Sequence, residues 1–133
     1  MHEKVNISLP VKPEYVSIAR LTASVIANQI GFNIEDIEDI KVAVGEACNN
    51  AVIHGKGEED VYYIQFNVEG NRIVIEVRDS GTGFDLDEYQ SPDLGELKEN
   101  GLGIFIMKTL MDDVEFIKEN GFGTTIRMTK ELN

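Results

Sequence analysis

Glu46, Asn50 and His54 recur at steps of four within the stretch GEACNNAVIHG, from Gly45 to Gly55. They bring a carboxylate, a carboxamide and an imidazole, groups that exchange protons or hydrogen-bond a ligand, into an otherwise apolar run. On a helix, residues so spaced are neighbours along one face. At about 100° per residue, Ile37, Ile40, Val44, Ala47 and Ala51 form a narrow apolar stripe, and the three polar residues lie along its flank. A polar line at the border of a core is the arrangement of a cleft wall.

A second candidate lies in RIVIEVRDSGTGF. Ile73, Ile75 and Val77 share one face of a strand because side chains alternate, and Asp79 is in the same phase. It should therefore point toward the core, where an unpaired carboxylate is costly. Backbone amides of the following glycine turn could satisfy it. Alternatively it accepts a hydrogen bond from a ligand amino group, with Gly81 and Gly83 letting the backbone approach. A second glycine pair, Gly101 and Gly103, opens a helix, and a helix start presents free N–H groups and the positive dipole end that suit phosphate. Neither pair completes the dinucleotide GxGxxG pattern, and there is no GxxxxGK[ST] phosphate loop.

The elements that must position these residues follow from periodicity. EKVNISLP alternates Val5, Ile7 and Leu9 and reads as a strand ending at Pro10. A helix runs from Pro13 to about Ile30, with Val16, Ala19, Ala23, Ile26 and Ile30 inward and Gly31 closing it. Its other side carries Ile18, Leu21 and Val25, with Arg20 beside the core stripe. A helix apolar on two sides is either buried on both or carries an interface, here for self-association or a partner. Asn33 caps the helix that holds Glu46, with Glu35 and Asp36 in its first turn. Strands at 61–69 and 72–79 follow, joined by the hairpin pair Gly70-Asn71. After a polar segment, 80–100, come a helix in GLGIFIMKTLM and strands near 114–118 and 124–129. Grouped helices and consecutive hairpin strands predict an α+β fold: a two-layer sandwich, its mixed, mostly antiparallel sheet covered on one face by helices.

The 133 residues predict a single domain, 1–133, and 42% apolar with 27% charged residues is ordinary for a soluble protein. The net charge of −12 argues against nucleic-acid binding, which needs clustered Lys and Arg, and fits a basic protein partner. With one cysteine, Cys48, no internal disulfide can form, and its place beside Val44 on the helix makes it a small core residue. No apolar run long enough to span a membrane and no leader pattern is present, so a cytoplasmic protein without membrane attachment is expected.

Glu46 with Asn50, then DSGTG, then GLG, then GTT at 123–125, form an ordered set that resembles the GHKL superfamily of ATP-binding domains. GEACNNAVIHG, GLGIFIMKTLMDDVEF and the length resemble, more closely, the anti-sigma-factor serine kinases of the RsbW and SpoIIAB type. The resemblance implies a GHKL-type sandwich that binds ATP or ADP with magnesium. It implies Asn50 as the magnesium ligand, through its amide oxygen, and Glu46 as the general base acting on a serine or threonine hydroxyl. Asp79 would accept from the adenine amino group, with Gly81 and Gly83 on the adenine side and Thr124 or Thr125 near that pocket. Gly101, Leu102 and Gly103 would form the phosphate-side turn. The 17 residues from 84 to 100 would be an ATP lid, acidic at Asp85, Asp87, Glu88, Asp93, Glu96 and Glu99, with Lys98 its only basic residue.

The function so implied is an anti-sigma factor and serine/threonine kinase, a dimer that sequesters a sigma factor and phosphorylates a STAS-type anti-anti-sigma protein. A non-catalytic or upstream GHKL nucleotide switch in a partner-switching complex is the alternative. Retention of Glu46 favours the kinase. A severed histidine-kinase domain fits poorly, since no hairpin with a phosphoacceptor histidine is present. A repair or topoisomerase ATPase would need a transducer domain for which there is no room.

Overall fold

Among the described residues, alternating and helical periodicities resolve into five strands and three helices. The computed structural model describes residues 2–54, 60–80, 99–119 and 123–133. The strands are β1 (His2–Pro10), β2 (Val61–Glu69), β3 (Arg72–Arg78), β4 (Asp113–Glu119) and β5 (Gly123–Glu131). The helices are α1 (Val16–Ile30), α2 (Ile34–His54) and α3 (Glu99–Leu110), and a short 3-10 turn at Pro13–Tyr15 leads into α1. The sheet order is β1-β2-β3-β5-β4. Each of the four pairings is antiparallel. The sheet is thus antiparallel among the described residues, in line with the mostly antiparallel sheet expected; every neighbour is reached by a hairpin or a return through the helical layer. No described helix is long and apolar enough to cross a membrane.

Strand alternation divides the sheet. Tyr62, Ile64 and Phe66 of β2, Ile73, Ile75 and Val77 of β3, and Ile126 and Met128 of β5 are buried in one cluster with the helices. Ala19, Ala23 and Ile26 of α1, Ile40, Val44 and Ala47 of α2, and Ile104 and Met107 of α3 complete it. Burial of each large side chain in this layer contributes roughly 1.5–3 kcal/mol. The opposite face is polar. There Gln65 Nε2 donates to Asn6 Oδ1 at 2.9 Å, Asn67 Nδ2 donates to Gln65 Oε1 at 3.2 Å, and Arg127 pairs with Glu76 at 3.6 Å. Exposed pairs of this kind contribute little, about 0–1 kcal/mol each.

The helix ends show why the chain turns where it does. Gly31 sits at φ 113°, and its N–H donates to Ala27 O, closing α1 in a conformation that costs other residues about 1–2 kcal/mol. Asn33 Oδ1 accepts from the Asp36 N–H at 2.8 Å, the expected cap of α2. At the far end of α3, Lys130 Nζ donates to Leu110 O at 2.6 Å, which places a cation on the negative end of the helix dipole. Ile18, Leu21 and Val25 on α1 are exposed, so the second apolar side is not packed under β1.

Candidate functional site

Asp79 follows β3 in the core-facing phase and is 7% exposed. Its N–H donates to Thr124 O at 3.1 Å, and one carboxylate oxygen accepts from the Thr124 N–H at 3.4 Å. A protein donor to Asp79 thus comes from β5 across the ladder. The glycine turn expected to supply it, including Gly81 and Gly83, lies outside the described residues. Thr124 is itself buried and its Oγ1 has no hydrogen-bond partner among the described residues. The Ser80 hydroxyl, next to Asp79 in the chain, is buried and has no partner among them either. Alternation decides between the two threonines. Thr124 shares the phase of Ile126 and Met128, whereas Thr125 pairs with Arg78 and lines a cavity of about 450 Å³ on the outer face with Asn6, Ser8 and Tyr63. The Thr125 side chain is therefore on the face of the sheet opposite that of Thr124.

The other end of the site is built by helices. Glu46 is half-buried, Asn50 is 6% exposed and His54, the last residue of α2, is half-buried. The flank of the apolar stripe is thus a graded border, and it is deepest at Asn50. Asn50 Nδ2 is buried and makes no hydrogen bond among the described residues. Leaving such a group unpaired costs about 1–3 kcal/mol. Among the described residues no three His, Cys, Asp or Glu side chains gather as a metal cage. A hard ion held here would need one protein oxygen plus ligand phosphates and water, which is magnesium's usual manner.

The helix carrying the second glycine pair begins at Glu99, two residues before the expected start. Gly101 therefore falls in the first turn, where amides are free, and Gly103 falls beyond it. A Cβ at Gly101 would meet nothing within 4 Å, but a Cβ at Gly103 would stand 2.9 Å from Glu46 Oε2. The start of α3 and the Glu46 carboxylate are thus in contact. Leu102 between them is 42% exposed. Of the segment expected as a lid, residues 84–98 lie outside the described residues.

Two neighbours of α2 were missed from the sequence. Arg20 of α1 crosses it at Gly45, where a Cβ would stand 3.2 Å from Arg20 Cδ. Tyr62 of β2 lies under Cys48 with its hydroxyl buried. Burial pushes the Cys48 thiol up to about 12, opposed in part by the Tyr62 hydroxyl and the Arg20 charge, so the thiol stays protonated and inert. A glycine inside a helical run costs about 1 kcal/mol against alanine, and that was the available signal for close approach at Gly45.

Residues 9–130 match the model of the histidine kinase-like ATPase domain. The chain is 47% identical over 89 residues to the serine-protein kinase RsbW of Listeria innocua, covering 65% of this chain and 57% of that protein. It is 45% identical over 105 residues to the serine-protein kinase RsbW of Listeria monocytogenes, covering 74% and 67% respectively. The match thus takes in 57% to 67% of the length of these two curated relatives. In fold, it resembles the crystal structure of the RsbU and RsbW domains of Rv1364c from Mycobacterium tuberculosis, with a TM-score of 0.73 at 20% identity over 98% of this chain and 32% of that one. The match over residues 9–130 shows that the chain belongs to the histidine kinase-like ATPase domain family.

Proposed function

We propose that this chain is a cytoplasmic anti-sigma factor and serine/threonine protein kinase. It binds ATP or ADP with magnesium, sequesters a sigma factor and phosphorylates a STAS-domain anti-anti-sigma protein. It acts as a homodimer, apart from nucleic acid and membrane. The observation that carries this reading is the Glu46 carboxylate resting against the start of α3, one helical turn from the buried Asn50 amide. The names of the similar proteins, serine-protein kinase RsbW, point the same way.

Each residue then has a task. Asp79 accepts from the adenine amino group, and the Thr124 hydroxyl supplies a further contact at that end. The free amides of the first turn of α3, Gly101 among them, face the phosphates. Asn50 holds magnesium through its amide oxygen. Magnesium, when bound, offsets charge on the phosphates. Phosphoryl transfer needs positioning, charge neutralisation and an oriented nucleophile. Glu46 takes the proton of the substrate hydroxyl as that oxygen bonds to the γ-phosphorus. The bond from γ-phosphorus to the β-bridging oxygen breaks, and its electron pair leaves with ADP. The exposed Ile18, Leu21 and Val25 on α1 supply the dimer contact.

The test is transfer of labelled γ-phosphate to a co-purified STAS-domain protein. Label on a serine or threonine of that protein supports the kinase. Nucleotide-dependent exchange of partners without label favours a non-catalytic switch.

A further inference from the structure

The two glycines of GLG are set in different surroundings, and only one of them is explained by phosphate. Gly101 lies in the first turn of α3, in open space, as a residue offering its amide to a ligand should. Gly103 is buried, and as the fifth residue of the helix its N–H belongs to the internal ladder. Its φ is not positive, so left-handed backbone does not require glycine there. Glycine inside a helix is also disfavoured against alanine. What remains is room. A Cβ at Gly103 would stand 2.9 Å from Glu46 Oε2, 3.8 Å from Glu46 Cδ and 3.9 Å from Glu46 Cβ. A contact under 3.0 Å forces something to shift, and here it is the far end of the flexible Glu46 side chain, so the carboxylate moves at little cost in stability.

We propose that Gly103 is a positioning residue for Glu46: its missing side chain is the seat in which the carboxylate rests against α3. This deepens the kinase reading and rests on it. The seat ties the base to the helix whose first turn faces the phosphates. A misplacement of about 1 Å at a reacting group can cost on the order of 100-fold in rate.

The test uses Gly103→Ala, Glu46→Asp and the double variant in the full chain. Gly103→Ala should lower kcat for transfer about 100-fold, the scale of a misplaced base, and leave the ADP Kd within about twofold. Asp is one methylene shorter and clears the new methyl group, so the double variant should be no slower than the slower single variant. Multiplicative losses, or an ADP Kd raised by the same factor as transfer falls, would overturn the proposal and give Gly103 to phosphate approach. A second measurement needs no activity. Gly103→Ala should raise the Tm less in the parent, where the carboxylate must give way, than in a Glu46→Ala background, where the methyl group has room and helix propensity favours alanine. A change of equal size in both backgrounds would also overturn the seat. Absence of transfer by the parent would instead sink the kinase reading, and the melting pair would still decide the seat.

Discussion

The Asp79 end of the cleft is held by strands and the Glu46 end by helices, and the two kinds of support behave differently. At the first end, β3 and β5 run in register from Arg72 opposite Glu131 to Arg78 opposite Thr125. Two further hydrogen bonds join Asp79 to Thr124. Position there is fixed by a backbone ladder that a side-chain change does not disturb. At the second end no ladder links α2 to α3. Glu46 is placed by side-chain fit against Gly103, while α3 is tied at its far end by Lys130. Changes at the strand end should therefore alter affinity alone, and changes at the helix end should alter rate.

The largest joint effect on binding and transfer should come from Asn50→Ala. It removes the amide from the deepest point of the border, so magnesium-dependent ADP binding should weaken. Transfer should fall on the order of 100- to 1,000-fold, the scale for loss of one electrostatic stabiliser. Calorimetry with and without magnesium, beside the transfer assay, checks both. Retained magnesium dependence would detach Asn50 from the metal.

Asp79→Asn should come next. It sets a donor group against the adenine amino group, a mismatch of about 1–3 kcal/mol. The ADP Kd should rise accordingly, with kcat at saturating ATP nearly unchanged. Binding equal to the parent would show that the carboxylate serves only the Thr124 amide.

The same division explains what the sequence made legible. The strand end was readable because a period of two puts Asp79 in phase with Ile73, Ile75 and Val77 without reference to any distant element. Strand phase by itself could not choose between Thr124 and Thr125 until the register with β3 was known. On α2, the stripe of Ile40, Val44, Ala47 and Ala51 was plain. Its contacts were not, because helix–helix packing depends on which side chains from α1 and α3 reach Gly45 and Glu46. The start of α3 moved two residues upstream because Glu99 and Asn100 continue the helix before the glycine pair. Helix ends are the least readable part of a periodic pattern.

The anchor beneath α2 gives a smaller, pH-dependent effect. The folded-state value of Cys48 is raised from 9.0 to about 12 by burial, and that of Tyr62 is raised for the same reason. Each group holds its proton more tightly when folded, so its contribution is complete below the unfolded value and is lost as pH rises through the folded one. The urea midpoint should fall above pH 9, and more gently in Cys48→Ala. Thiol reagents at pH 8 should not label the native protein. Rapid labelling under native conditions would contradict the burial.

The smallest effect on the cleft should be that of Leu21→Asp, whose side chain is 62% exposed on α1. Sedimentation should show a monomer, while ADP affinity stays within about twofold because neither end of the site is touched. A parent that is already monomeric at tens of micromolar, with or without nucleotide, would remove the helix interface.

The central claim, that Glu46 at the helix end serves transfer and not nucleotide affinity, is tested most directly by Glu46→Gln. Its transfer rate to the STAS-domain partner and its ADP Kd should be measured on the same preparation. Transfer should drop about 100- to 10,000-fold, as for loss of a general base, with ADP affinity and sigma-factor retention unchanged. Undiminished transfer, or a loss of ADP affinity matching the loss of rate, would contradict it.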